Sequence, residues 1–411
     1  MVRRTPAWVG DFGWTRGLFV AGVAVVALHA IDDSFVHPQP GTSAGDHLLG
    51  GLVPLALAAL SARAFWRSRP GTRAALGFAW SLVALLSGVE AIYYAQHGGL
   101  GGDDYTGLLA MAATPILFAV ATRELWQSRR TDGRRARRYV RRLAKGAIAL
   151  FVVALTAVPF AVAYIGGHVS RSVVPAAALG APHGDVTLRT SDGLNLQGWY
   201  VPSHNHAAVI VFPGRKGPMT RAQMLARHGY GVLLYDRRGE GRSEGDPDSF
   251  GWDFDKDIRA GLEFLKGRSD VDPQRIGGIG LSVGGEMMLQ TAGEATDLAA
   301  VVAEGAGART VSEEIDDTHG IDKVFAAISY GVRDLTNSVV QGRTPPTNLK
   351  RLVPKIAPRP VFFIHAGPRE SGHLGPDYFR VAGRPKQIWE AQGGHTQAFA
   401  KQPREYERRV V

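Results

Sequence analysis

Apolar and polar residues follow two different rhythms along this chain. Up to about residue 165 the apolar positions form long unbroken runs; beyond residue 184 they form short clusters separated by turn residues and helical patterns. Five runs approach the roughly 20 apolar residues that carry a helix across a hydrocarbon core. They are Trp14 to Ile31, Leu48 to Trp66, Ala74 to Ala95, Tyr105 to Trp126 and Ala144 to Ile165. Gly22, Pro54, Gly77, Pro115 and Pro159 lie inside them, as spanning helices tolerate better than soluble ones do. Trp14, Trp66, Tyr93, Tyr94, Tyr105 and Trp126 fall near the ends, where amphipathic rings favour the headgroup layer.

The second half alternates short strands with helices, which predicts a largely parallel sheet. Strands are expected at 185–190, 194–201, 207–212, 231–235, 275–280, 299–304, 360–365 and 386–390. Helices fit at 218–228, 253–267, 283–292, 374–382 and near the C-terminus. The organisation expected is a transmembrane helical domain over 1–168, a Pro/Ala/Gly-rich linker over 169–184 and an α/β domain over 185–411.

Charge turns the first half from merely apolar into oriented. The 411 residues carry a net +10, but residues 1–170 hold 17 Lys+Arg against 9 Asp+Glu, so the basic excess is theirs. Arg3, Arg4 and Arg16 precede the first run; Arg63, Arg67, Arg69 and Arg73 separate the second and third; a dense series from Arg129 to Lys145 follows the fourth. The intervening loops carry Asp32, Asp33, Asp46, Asp103 and Asp104 instead. Positive loops stay cytoplasmic, so the N-terminus is expected inside, in a plasma membrane. An odd number of spans puts the C-terminal domain outside. The basic series is a match for anionic lipid headgroups rather than nucleic acid.

Composition removes several chemistries. With no cysteine there is no disulfide framework, zinc–thiolate site, iron–sulfur cluster or cysteine nucleophile. A chain that is 45% apolar and 20% charged is not a disordered one. No Walker-type or dinucleotide-type glycine loop is present, so no cofactor is expected. A polar set, His29, Asp32, Asp33, Glu90, His97, Asp103 and Asp104, lies toward the outer ends of the runs. Glu90, Tyr94 and His97 share one helix face, so the bundle is a candidate for a second site, with a solvated rim as the plainer account.

The motif that carries chemistry is Gly280-Leu281-Ser282-Val283-Gly284, between a predicted strand and a predicted helix. A serine on so sharp a turn needs small neighbours two positions either side, and the turn lifts its hydroxyl clear of the sheet. Three further segments occur in order: Val209-Ile210-Val211-Phe212-Pro213-Gly214, Tyr235-Asp236-Arg237-Arg238-Gly239-Glu240-Gly241-Arg242-Ser243, and Gly393-Gly394-His395 after the last strand. Together these make residues 185–411 resemble the α/β-hydrolase superfamily.

That resemblance implies a nucleophile at Ser282, a base at His395 and an oxyanion hole from the backbone N–H groups of Val283 and Arg215. The superfamily's acid follows the strand at 360–365, where Glu370 is the candidate and Asp377 the alternative; the usual G-x-x-D wording is absent from Ala366-Gly367-Pro368-Arg369-Glu370. The segment 309–358, longer than the sheet needs, reads as a helical cap. The expected activity is hydrolysis of an ester or thioester of a lipid-like acid through an acyl-enzyme, with the bilayer as partner. An envelope acyltransferase, a peptidase, a non-catalytic binding module and a membrane site around Glu90 are the alternatives.

Overall fold

The computed structural model describes residues 12–97, 100–128, 140–141, 144–146, 148, 151–152, 155–156, 158–169, 171–212, 214–217, 219–316, 318–366 and 374–411. The chain divides into two compact units, Met1–Phe151 and Val152–Val411, and each is described by itself.

The first unit is helical: α1 (Phe12–Ile31), α2 (Leu48–Arg67), α3 (Pro70–Ser87), α4 (Val89–His97), α5 (Asp104–Ala112) and α6 (Thr114–Gln127). Four stretches among the described residues are long and apolar enough to cross a membrane: Gly13–Val36, Leu48–Arg67, Pro70–Gln96 and Asp104–Gln127. The sequence expectation of five is therefore corrected to four. In the fifth run, residues 147, 149–150, 153–154 and 157 lie outside the described residues, and its end, helix α7 (Val158–Gly166), is grouped with the second unit. Small residues let the helices approach closely. A Cβ at Gly22 would stand 2.7 Å from Leu117, and one at Gly77 would stand 2.8 Å from Ala121.

The polar set at the helix ends is partly knitted together. Thr106 donates to Asp32 at 2.6 Å, His29 lies 3.2 Å from Thr106, and His37 lies 2.8 Å from Asp32. The side chains of Glu90 and His97 lie outside the described residues. Among the described residues no three His, Asp or Glu side chains form a metal-holding group.

The second unit is built on one eight-stranded sheet: β1 (Gly184–Arg189), β2 (Asn195–Val201), β3 (Ala208–Val211), β4 (Gly231–Tyr235), β5 (Ile276–Leu281), β6 (Ala300–Glu304), β7 (Val361–His365) and β8 (Lys386–Glu390). Their spatial order is β1-β2-β4-β3-β5-β6-β7-β8. The β1–β2 and β2–β4 pairings are antiparallel and the rest parallel. Every residue of β3 and β4 is buried, which is why these strands read as unbroken apolar runs: a parallel sheet is covered on both faces. The cover comes from α8 (Thr220–Arg227), α9 (Phe254–Lys266), α10 (Val283–Glu294), α14 (Gly375–Val381) and α16 (Pro403–Val410), the last two numbered after the cap helices given next. Two apolar clusters form the core, one holding Phe212, Phe254, Met287 and Phe363, the other Trp199, Leu225, Ile364 and Tyr406.

Between β6 and β7 come α11 (Val311–Asp316), α12 (Gly320–Val340) and α13 (Leu349–Leu352). Leu349, Leu352, Val353 and Ile356 are buried in the first cluster, so the outlying part of the segment is α11 and α12. After β8 the short α15 (Ala398–Lys401) precedes α16.

The stretch before β1, expected as a linker, is fastened down. Gly166 accepts from the Ser249 N–H at 3.0 Å, Arg171 donates to the Gly245 carbonyl at 2.7 Å, and Ser172 donates to Glu240 at 2.6 Å. Leu179 is buried in the second apolar cluster.

Candidate active site

Strand β5 passes into helix α10 through one residue. Ser282 sits there at φ 54° and ψ −129°, a conformation that costs a non-glycine residue on the order of 1–3 kcal/mol and persists only where the surroundings impose it. Here they do. The Ser282 N–H donates to the Glu304 carbonyl on β6 at 2.8 Å. A Cβ at Gly280 would lie 2.1 Å from the Gly284 carbonyl, and one at Gly284 would lie 2.9 Å from Phe212 Cβ. The small neighbours in the motif are thus steric requirements of the bend. Val283 begins the helix, backed by Gly251, where a Cβ would fall 2.7 Å from its side chain.

Arg215, the other oxyanion candidate, lies in a single 3-10 turn, Gly214–Lys216, just after β3. Gly214 has φ 75°, and a Cβ there would meet the Tyr235 carbonyl at 2.0 Å. The guanidinium of Arg215 is buried, paired with Asp236 at 2.5 Å and stacked over Trp199 at 5.2 Å. Only its backbone is left for a substrate.

The loop 236–243 is a brace. Arg238 pairs with the buried Asp257 at 2.7 Å and with Asp192 at 2.8 Å. Burial would raise the Glu240 carboxyl, but Arg237 and Lys216 beside it hold it at about 2.

His395 lies in the loop after β8, between Gly394 and Thr396, the latter at φ 55°. This loop is tied to the serine through one side chain that the sequence reading did not single out. Glu304, whose carbonyl holds Ser282, is itself buried; its carboxylate accepts from the Ala398 N–H at 3.1 Å and from Arg221 at 2.7 Å. Arg221 also donates to the Thr396 carbonyl at 3.2 Å and to the Tyr406 hydroxyl at 3.1 Å. The signal for this lock was a charged residue closing an apolar strand.

Of the acid candidates, Asp377 in the first turn of α14 pairs with Arg380 at 2.7 Å. Glu370 lies outside the described residues.

A second buried carboxylate, also unflagged by its sequence, stands one turn beyond the serine. Glu286 accepts from the Gly307 N–H at 3.0 Å and faces Arg309 at 4.0 Å. Burial pushes its carboxyl up to about 7, with Arg309 opposing. Arg309 in turn donates to Gln290 and to the Gly251 carbonyl behind Val283. A carboxyl raised in the folded state stabilises the fold fully below its ordinary value and loses that contribution as pH rises through the folded one. Glu286→Gln is therefore expected to gain on the order of 2 kcal/mol relative to wild type between pH 4.5 and 8. Chemical unfolding of both proteins across that range checks it, and parallel pH curves would contradict it.

A mostly parallel eight-stranded sheet in this order, with an antiparallel leading pair and a serine elbow after its fifth strand, is the α/β-hydrolase fold. Comparison with known proteins adds the following. The family model described as X-Pro dipeptidyl-peptidase (S15 family) matches residues 167–347. An uncharacterised protein of Mycobacterium tuberculosis is 43% identical over 123 residues, 28% of this chain and 43% of that protein; the chain thus spans under half the length of this relative. Escherichia coli YfhR, also uncharacterised, is 26% identical over 235 residues, 52% of this chain and 74% of that one. Among solved structures, the Pyrococcus furiosus esterase Pf2001 aligns over 58% of this chain and 95% of its own, with 19% identity and a TM-score of 0.45.

Proposed function

We propose that the chain is a membrane-anchored serine hydrolase that forms an acyl-enzyme on Ser282 and releases it to water. The observation that carries this reading is the strained conformation of Ser282, imposed between β5 and α10 and tied through Glu304 to the loop bearing His395. A serine hydroxyl is a weak nucleophile and needs an adjacent base. In this mechanism the Ser282 oxygen attacks the acyl carbonyl while His395 takes its proton. The carbonyl oxygen gains charge opposite the N–H groups of Val283 and Arg215. The bond to the leaving group then breaks, and His395 returns the proton to that group. Water repeats the sequence and frees the acid. Glu370 orients the imidazole; Asp377 is committed to Arg380 and is the poorer choice.

Esters or thioesters of lipid-like acids are the proposed substrates, because the apolar N-terminal helices put the enzyme at a bilayer. A peptidase reading is favoured by one observation, the family match over 167–347. It predicts turnover of short peptide amides with a proline at the second position.

With four spans rather than five, and with basic loops cytoplasmic, the hydrolase unit returns to the side of the basic loops; only a further crossing by the run 144–165 would carry it across. A membrane-impermeant fluorophosphonate tests activity and side together, since such probes bond only to a serine with its base and oxyanion donors assembled. Labelling is expected only after permeabilisation, with the adduct mapped to the peptide holding Ser282. Labelling of intact cells would keep the hydrolase and require the run 144–165 to cross. No adduct on a folded, inserted chain would remove the catalytic reading.

A further inference from the structure

Helix α12 is turned inside out for a helix on the surface of a water-soluble domain. Its exposed face carries Ile321, Val324, Ile328, Leu335 and Val339, between 40% and 67% exposed. Their spacing of three, four, seven and four residues lines one stripe along the helix. Between residues 184 and 411, the only other exposed large apolar side chains among the described residues are Val381 and Val411. The side turned to the protein carries polar groups, with Val340 buried at its end. Thr336 and Asn337 are buried, Asp334 accepts from the Val311 N–H at 3.1 Å, and the Arg333 guanidinium lies over the rings of Tyr330 and Phe250 at 4.9 and 5.6 Å.

The neighbour of this helix says what covers the stripe. Helix α7, the end of the apolar run 144–165, packs alongside α12. Gln341, just past α12, donates to the Ala163 carbonyl of α7 at 2.6 Å. Phe250 closes over Gly166, where a Cβ would lie 2.9 Å from its ring. Helix α7 shows an apolar outer side of its own, with Val158, Val162 and Ile165 exposed. The two helices are joined, and both carry apolar side chains left exposed among the described residues.

We propose that the outer stripe of α12 and the apolar outer side of α7 beside it dock together on the lipid surface, so that the cap of the active site is seated in the bilayer. This rests on the membrane-anchored reading above and goes beyond it, since an anchor alone leaves the cap in water. An apolar helix face laid at the headgroup–acyl boundary gains by the area it buries, and five branched aliphatic side chains supply that area.

The chain has no cysteine, so single-cysteine labelling is clean. Full-length Val324→Cys, Leu82→Cys and Glu263→Cys proteins, each carrying a bimane label, are reconstituted into vesicles of phosphatidylcholine and phosphatidylglycerol with brominated acyl chains. Leu82 lies in the third candidate span and Glu263 on the domain's polar surface. Loss of fluorescence is expected at positions 324 and 82 and not at 263, with the reverse order for quenching by aqueous iodide. Quenching by bromolipid at 82 alone overturns the docking and leaves the anchor standing. Quenching at neither overturns both, and quenching at 324 alone keeps the docking and removes the third span. Ile328→Cys repeats the measurement one turn on, should the label at 324 disturb the helix.

Discussion

Ser282→Ala is expected to lower ester turnover by about 10⁴-fold or more, because nucleophile and base act as a unit and losing one forfeits most of the effect of both. His395→Ala should cost a similar factor, and the double variant little more than either single. That non-additivity, measured on a soluble p-nitrophenyl ester, separates a nucleophile–base pair from two residues that merely shape a pocket; independent, multiplying losses would contradict the pairing. The conformation of Ser282 makes a second reading of the same site possible. At φ 54° a glycine would be unstrained, so Ser282→Gly should be inactive yet more stable than Ser282→Ala by about 1 kcal/mol. Denaturant unfolding of the two inactive variants gives that difference directly.

The other large effect is expected at Glu304, whose carboxylate meets Arg221 and the Ala398 N–H rather than the serine. Its partner Arg221 is 2% exposed, so Glu304→Ala leaves a buried guanidinium without its anion, a loss of about 3–5 kcal/mol. It also strips the acceptor from the Ala398 N–H and loosens the loop of His395. Stability and kcat should therefore fall together in the single variant. Pairing it with Arg221→Met should restore much of the stability, since two well-packed apolar groups can replace a buried ion pair, but not the rate, because the loop is still untied. A double variant with full turnover would show that the lock serves folding alone.

How much of this was legible beforehand follows the physics of each feature. The central strands were readable because buried parallel strands are apolar runs bounded by turn residues, and β3 and β4 match their expected segments to within a residue or two. The serine elbow was readable because its bend leaves no room for side chains at Gly280 and Gly284, where a Cβ would lie 2.1 Å from the Gly284 carbonyl and 2.9 Å from Phe212 Cβ respectively. The fifth membrane helix was overread: hydropathy alone does not distinguish a run that crosses from one whose end belongs to the folded domain, as Val158–Gly166 does. Glu304 and Glu286 were illegible for a different reason. A lone carboxylate in a sequence carries no mark of its partner, and Arg221 lies 83 residues away from Glu304. The outward stripe on α12 was present in the sequence as Val324, Ile328 and Val339, but only burial reveals that the side facing in carries polar groups.

The fastening of residues 166–179 onto the domain bears on how the enzyme searches. A slack leash of a dozen residues reaches on the order of 20 Å from its post and lets the tethered body tumble. Here Gly166 is already bonded to Ser249, and Arg171 and Ser172 are bonded to the loop 240–245, so almost no slack is left. The sheet and α7 are fastened as one piece, and on the docking proposed above the mouth of the site keeps a fixed height and bearing on the bilayer. Encounter is then a two-dimensional matter. On that docking, molecules diffusing in or along the adjoining surface meet Ser282 at a fixed angle, and lengthening the 167–170 stretch should trade that selectivity for reach.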